Sequence, residues 1–459
     1  MVYLPNVIKK VARRIIASHP LVARFSLINT AMAEFDAELN TWALRISQRF
    51  TEEDFNSLSI LKLKWVLRQA SEVPYWQSIF RNTSFKPDGL LAVEDIERLP
   101  ITRREEMMSI PLAARSNQKK AKELKSTLGL TSGSTGHPLH FYRSRRSKIR
   151  TQALYRLIMD QARAVGKLES DKPRVFNFGL PRLIPIYPWV GFMYPLVLEE
   201  GTLSRDRLYR FFGDHKVEVI FTYASLLKRL QHWWERDGRF FQFKAIIYTS
   251  QSLDPLEREA ISRFFNCPIF SVYGAKECSV LGIECPRQPD KFHLVPELGY
   301  AEIVDDKGVH LPYGVAGNVV YTYFENEISP FIRYGLGDLG RVEKNVGCGC
   351  GRNSDFIIFE GKTADIIYLP NGNGIICKAL SIAIDKILFN KVYQFQMVQQ
   401  GKDQFILRVV PRSSLRTVDE EKITAVLGGM LQNSMKINIE RASRIAQLPS
   451  GKTPLFLKI

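Results

Sequence analysis

The chain has 459 residues, 45% of them hydrophobic and 24% charged, which is too long for one compact core and argues for two or three folded domains rather than disorder. Lysine and arginine number 64 against 47 acidic residues, a formal charge of +17; this suits a polyanionic partner (nucleic acid, an anionic membrane surface or a phosphorylated substrate) but assigns no activity. No run of about 18 apolar residues occurs, Lys9, Lys10, Arg13 and Arg14 break up the N-terminus in a way unlike a secretory signal, and the six cysteines argue for a reducing cytoplasm over a disulfide framework.

Residues 5–17 predict a short amphipathic helix, with Val7, Ile8, Val11, Ala12, Ile15 and Ile16 on one face and the four basic residues on the other. Such a helix can lie on the inner face of an anionic membrane, but packing against its own domain is the preferred reading. Residues 30–80 read as mainly helical, ending near Pro74-Tyr75-Trp76, so that 1–75 forms a helical N-terminal extension. Beyond a basic polar segment (115–125), apolar β-type runs at 174–178, 217–223, 245–249 and 269–273 alternate with stretches long enough for helices. That alternation predicts an α/β fold with layered, mostly parallel sheets. Runs at 300–304 and 318–323 predict strands of a following β-rich portion. The character changes near Gly361, where a small α+β unit begins, with strands near 366–369, 393–398 and 405–410 and a helix near 420–432. The expected domains are therefore 1–360 and 361–459.

Between the basic segment and the first β-type run lies Leu130-Thr131-Ser132-Gly133-Ser134-Thr135-Gly136-His137-Pro138. Every side chain from Thr131 to Gly136 is absent or a hydroxyl. Glycine lets the backbone approach a ligand closely, and successive N–H groups with Ser and Thr hydroxyls can converge on phosphate oxygens. The stretch has neither the lysine pattern of a Walker loop nor a G-x-G-x-x-G pattern. Further on, Tyr273-Gly274-Ala275-Lys276-Glu277 follows a β-type run, at the strand end where α/β sheets bind ligands. Arg333-Tyr334-Gly335-Leu336-Gly337-Asp338-Leu339-Gly340 reads as a glycine-flanked turn presenting a carboxylate. Gly361-Lys362-Thr363-Ala364-Asp365 sits at the domain change, and Ser450-Gly451-Lys452 near the last residues.

Taken in order, these motifs resemble those of the adenylate-forming superfamily of acyl-CoA synthetases, adenylation domains and luciferases. Pro74-Tyr75-Trp76 with Leu99-Pro100-Ile101-Thr102-Arg103 resembles the phenylacetate–CoA ligase family and its CapK-like relatives, and the resemblance spans roughly residues 70–459. It implies an ATP-dependent ligase that converts a carboxylic acid to acyl-AMP and pyrophosphate. Thr131, Ser132, Gly133, Ser134, Thr135 and Gly136 would hold phosphates, with Tyr273 and Gly274 at adenine, Asp338 on the ribose hydroxyls and Lys362 near the nucleotide. Glu277 would serve catalysis by binding Mg²⁺, a hard cation that takes oxygen ligands. Asp365 would be the hinge of a mobile C-terminal domain that rotates for the second step, and Lys452 the catalytic lysine, a cation facing charge that builds as pyrophosphate leaves. The sequence departs from the family pattern where Lys362 replaces Arg, Ala364 replaces Asp, and Thr249-Ser250-Gln251-Ser252-Leu253, where the family has a Gly-Glu or Ser-Glu pair, bears no charge at Gln251 or Ser252.

Cys348-Gly349-Cys350, with Cys285 and His293 upstream, could make a closed Cys₃His site; the same resemblance implies structural zinc there. Cys267 and Cys377 read as core. The default acyl acceptor is coenzyme A; a CapK-like member would instead pass the acyl group to a sugar intermediate or a carrier in cell-envelope polysaccharide synthesis. The rival from another class is a non-catalytic basic protein binding membrane or nucleic acid, but no nucleic-acid motif is present and no such partner is expected.

Overall fold

The computed structural model describes residues 6–17, 30–131, 138–170, 173–177, 205–389, 391–412, 415–446 and 453–459. In chain order, α1 (Asn6–Ala17), α2 (Thr30–Ser47), α3 (Glu52–Ala70), α4 (Pro74–Thr83), α5 (Arg104–Ser109) and α6 (Gln118–Glu123) precede a hairpin of β1 (Thr127–Leu130) and β2 (His140–Arg143) and the long α7 (Arg145–Gly166). Strands and helices then alternate: β3 (Val175–Asn177), α8 (Arg205–His215), β4 (Val219–Tyr223), α9 (Ala224–Asp237), β5 (Ala245–Thr249), α10 (Pro255–Phe265) and β6 (Ile269–Ala275). A run of strands follows: β7 (Ser279–Glu284), β8 (Phe292–Leu294), β9 (Gly299–Val304), β10 (Gly317–Tyr323), β11 (Tyr334–Glu343) and β12 (Phe356–Lys362). Last come β13 (Ile366–Tyr368), β14 (Gly374–Ile376), α11 (Cys377–Leu388), β15 (Val392–Gln400), β16 (Gln404–Pro411), α12 (Thr417–Met430), β17 (Lys436–Arg441) and β18 (Phe456–Lys458). The chain divides into two compact units, Met1–Gln161 with Val272–Glu360, and Ala162–Ser271 with Gly361–Ile459.

In the first unit the amphipathic α1 packs inward. Ala12 and Ile16 are fully buried with Ala43, Phe50 and Leu58, while Lys9 donates to Asp54 at 2.9 Å and Arg13 pairs with the same carboxylate. Part of the apolar face, Ala12 and Ile16, is thus covered by its own domain while Val11 stays exposed, and Asp54 also closes the capping box of α3 with Thr51. The helical run does not end at Pro74, as its sequence led us to expect: Pro74 occupies the first turn of α4, where its missing N–H has no intrahelical partner to lose. Antiparallel pairing dominates the strands here, β7 with β6 and β8, β12 with β8, and β10 with β9 and β11.

In the second unit β3, β4 and β5 are parallel, as the alternating pattern predicts. Phe176, Ile220, Ile246, Trp234 and Phe265 fill the core that α8, α9 and α10 make with them. The C-terminal residues of this unit form a four-stranded sheet in the order β17-β16-β15-β18, with Ile384, Met397, Leu407 and Leu427 buried beneath α11 and α12. Cys267 and Cys377 are buried core residues, as expected. Among the described residues no helix is long and apolar enough to cross a membrane.

Candidate active site

In sequence the glycine- and hydroxyl-rich stretch links β1 to β2, whose register pairs Leu130 with His140. At its neck Thr131 N donates to Leu139 O (3.1 Å), and Thr131 Oγ1 accepts from Leu139 N (2.9 Å). Thr131 is therefore a closing residue, with its hydroxyl spent on the loop's own backbone. Ser132, Gly133, Ser134, Thr135 and Gly136 lie outside the described residues. The hairpin is held from behind: Tyr142 N donates to Ser329 Oγ (3.0 Å), Asn326 Nδ2 to Tyr142 O (2.9 Å), and Arg115 Nη1 to His140 O (2.6 Å).

From β2, Arg143 Nη2 donates to the Lys276 carbonyl (2.7 Å), fastening the hairpin to the turn that carries Glu277. That turn joins β6 to β7, whose register slips between Tyr273 and Gly274. A Cβ at Gly274 would stand 2.4 Å from Ser279 O, so glycine is required by the approach of the neighbouring strand. Glu277 is buried and its Oε1 accepts from Tyr334 OH (3.1 Å). Tyr273 OH donates to Asp338 Oδ2 (2.8 Å), while its ring packs against Phe292 and Phe359. Burial first, then the facing carboxylate, push the Tyr273 hydroxyl well above its usual range, and burial with Glu277 does the same for Tyr334. Both phenols stay protonated and hold their carboxylates as donors. Burial, with Arg143 adding repulsion, lowers Lys276.

The family-like segment Leu99–Arg103 has a scaffolding role that its sequence did not reveal. Thr102 N donates to Arg333 O and Gly335 N to Thr102 O, both at 2.9 Å, so the segment runs alongside the strand that presents Asp338. Arg333 anchors that strand through Glu302 (2.9 Å) and the carbonyls of Glu97 and Leu99. The neck at Thr131, Glu277, Tyr273 and Asp338 are thereby joined by continuous contacts within one unit. The buried Glu277 and the half-buried Asp338, each with a phenol donor, and the cations Arg143 and Lys276 form a setting for a metal-bound polyphosphate.

The remaining predicted residues fall in the second unit. Lys362 has an exposed side chain, and its carbonyl accepts from Asp365 N (3.0 Å). Burial raises Asp365, whose carbonyl accepts from Cys377 N. Gln251 contacts Thr453. Lys452 lies outside the described residues.

Cys285, His293, Cys348 and Cys350 converge in the first unit, all four ligand atoms within 4.8 Å of one another. His293 Nε2 is 3.1 Å from Cys350 Sγ and 3.4 Å from Cys348 Sγ; a tetrahedron around zinc has edges of about 3.5–3.8 Å. Nδ1 of His293 faces Ser354 O at 2.9 Å, which directs the Nε2 lone pair at the thiols. Burial holds His293 down to about 4, the neutral form a metal needs. Asn345 Oδ1 accepts from the N–H groups of Gly347 and Cys348, shaping the C-x-C turn.

Residues 367–458 match the CapK C-terminal domain family. The chain is 21% identical over 436 residues to the phenylacetate-coenzyme A ligase of Thermus thermophilus, covering 88% of this chain and 94% of that protein. It is 24% identical over 329 residues to the phenylacetate-coenzyme A ligase of Pseudomonas putida, covering 65% and 71%. Among solved structures, a 2-hydroxyisobutyryl-CoA ligase in the postadenylation state with a bound acyl-AMP aligns with a TM-score of 0.70 at 17% identity, over 90% of this chain and 91% of that one, a likeness of fold.

Proposed function

From this chain's place in the phenylacetate–CoA ligase family of adenylate-forming enzymes, in its CapK-like branch, we propose that it activates a carboxylic acid with Mg·ATP and passes the acyl group to an acceptor, by default coenzyme A. One observation carries the reading: Arg143, at the base of the β1–β2 hairpin, ties that hairpin to the Glu277 turn, and Tyr273 and Tyr334 hold Asp338 and Glu277.

In the first half-reaction a carboxylate oxygen attacks the α-phosphorus, and the bond from that phosphorus to pyrophosphate breaks, giving acyl-AMP. The step needs positioning and charge neutralisation rather than a protein nucleophile. Backbone N–H groups of Ser132–Gly136 cradle the phosphates, Asp338 accepts from the ribose hydroxyls, and the Tyr273 ring borders adenine beside Gly274. Glu277 offers a hard oxygen for Mg²⁺, which supplies neutralisation of phosphate charge when bound. Lys452 offsets charge growing on the α-phosphoryl oxygens. In the second half-reaction the acceptor's nucleophile attacks the acyl carbonyl and AMP leaves. Domain 361–459, hinged at Asp365 with Lys362 beside it, serves both steps. The Cys285–His293–Cys348–Cys350 cluster fits structural zinc by donor set, burial and spacing. The alternative acceptor is a sugar intermediate or carrier, the class that the CapK-like resemblance implies. We propose a cytoplasmic location, with peripheral contact at the inner face of a membrane through α1 as the lesser alternative.

A panel of carboxylic acids, phenylacetate and 2-hydroxyisobutyrate included, is screened with Mg·ATP for pyrophosphate release. We expect acid-dependent release that Lys452→Ala lowers at least a hundredfold while ATP still binds. Wild-type pyrophosphate exchange by that variant would sink the assignment.

A further inference from the structure

Gln251 stands where the family resemblance leads to an acid, and the function above gives it no task. Its carboxamide is nevertheless engaged at both ends. Oε1 accepts from the backbone N of Ser225 in the first turn of α9 (3.1 Å), and Nε2 donates to the carbonyl of Thr453 (2.9 Å). Thr453 is buried at 5% exposure and opens the tail that ends in β18. Two further bonds hold that tail, Gln396 Nε2 to Pro454 O (2.9 Å) and Met397 N to Leu455 O (2.8 Å). Lys452 is peptide-bonded to Thr453.

The bridge asks for an acceptor and a donor on one short side chain. A carboxamide has both; a carboxylate accepts at both oxygens and would set one of them against the Thr453 carbonyl. The glutamate expected from resemblance would thus oppose the contact that glutamine makes.

We infer that Gln251 is a positioning residue for adenylation: by spanning Ser225 N and Thr453 O, its carboxamide holds the tail that bears Lys452 against the end of β5. The inference rests on the adenylation function proposed above. Other contacts join residues 224–266 to 377–412 without touching the tail. Ser381 Oγ donates to Asp254 Oδ2 (3.0 Å), Arg412 pairs with Glu235 (3.2 Å), and the His232 ring lies on Tyr393 (3.8 Å). Losing the Gln251 bridge therefore frees the tail while the rest of the packing stays.

The test uses the full chain and the acid that best supports pyrophosphate release. In hydrogen–deuterium exchange, Gln251→Glu should raise exchange about tenfold in peptides covering 453–459 and Ser225, with the β15–β16 peptides unchanged. Its kcat for ATP–pyrophosphate exchange should fall roughly ten- to a hundredfold with KM for ATP within about threefold, whereas acyl transfer from supplied acyl-adenylate stays within about twofold of wild type. Added to Lys452→Ala, Gln251→Glu should cost almost nothing further. If Gln251→Glu keeps wild-type exchange kcat while Lys452→Ala loses it, the inference falls and the function stands. Equal losses in both half-reactions, or an unchanged tail, also overturn it. If Lys452→Ala itself keeps full activity, the function falls and takes the inference with it.

Discussion

Replacing Glu325 by glutamine should unfold the first unit far more easily, because Glu325 is the carboxylate that touches three buried cations. Lys62 on α3 and Arg146 and Arg150 on α7 all meet it, with Arg146 Nε at 2.5 Å and Arg150 Nε at 3.5 Å, and all four side chains are 0% exposed. Burial works to raise Glu325, but the three cations outweigh it and hold it below the ordinary carboxylate range. Burial, with Arg150 and Arg146 nearby, pushes Lys62 down to about 7 despite Glu325. The variant keeps the shape and strands the cations, a change worth about 3–5 kcal/mol, or roughly 10 °C in melting temperature. The sign of the pH effect follows from Lys62. Its folded pKa lies below the unfolded one, so the folded chain binds fewer protons between them and gains stability as pH rises from about 7 toward 10.5. Without Glu325 that window extends below 7, and the deficit of Glu325→Gln should widen on going from pH 8 to pH 6. Lys62→Met added to Glu325→Gln should recover part of the loss. Urea unfolding followed by tryptophan fluorescence measures both. A variant within about 1 kcal/mol of wild type, or a deficit that shrinks on acidification, would refute the reasoning. The same segment holds the hairpin through Asn326 and Ser329, so a weaker ATP affinity should accompany the loss.

Asp338→Asn removes the charge proposed to receive the ribose hydroxyls and should raise KM for ATP roughly ten- to a hundredfold, whereas Tyr273→Phe keeps the ring and should change it less than about fivefold; equal sensitivity would contradict the proposed roles. Purified protein should carry one zinc by elemental analysis, and Cys350→Ser should lower both zinc content and melting temperature; metal-free protein of unchanged stability would argue against the site. Gly361 has φ +153 and a Cβ there would sit 2.6 Å from Ile376 Cγ2, so Gly361→Ala should cost about 1–3 kcal/mol. Ile376→Ala should be less damaging in its presence than alone, a non-additivity that urea titration of the four proteins would reveal or exclude.

Local pattern carried much of the fold. The apolar runs that became β3, β4, β5 and β6 are four- to eight-residue segments bounded by helical stretches, and the expected 245–249 strand coincides with β5. Elements whose signal is ambiguous were missed. Pro74 reads as a helix stop or a helix start, and only the buried Trp76 donating to Pro330 O decides for a start. The segment that became α11 places Cys377, Leu380, Ile384 and Leu388 on a buried face, yet it is short and follows a glycine-rich turn. In the site, the motif residues were legible because each carries its chemistry on its sleeve of glycines. Their partners were not: Tyr334 on Glu277, Arg143 on the Lys276 carbonyl and Lys62 on Glu325 are separated by 57, 133 and 263 positions. No periodicity spans such distances; folding alone brings them together.

The matches to the family pattern and the departures from it are not scattered at random over the fold. Of the matches, Thr131–Gly136, Tyr273–Glu277 and Asp338 lie in the first unit and Asp365 and Lys452 in the second, whereas the departures Gln251, Ser252, Lys362 and Ala364 all lie in the second. The first-unit set is the one that phosphates, ribose and magnesium would meet, and within it Tyr334 holds Glu277 and Tyr273 holds Asp338. In the second unit Gln251 carries a tether to the tail where the family pattern has a charge. The departures are thus concentrated in the unit that includes the segment matching the CapK C-terminal domain. A search for this enzyme's distinguishing property should therefore vary the acyl acceptor before it varies the nucleotide.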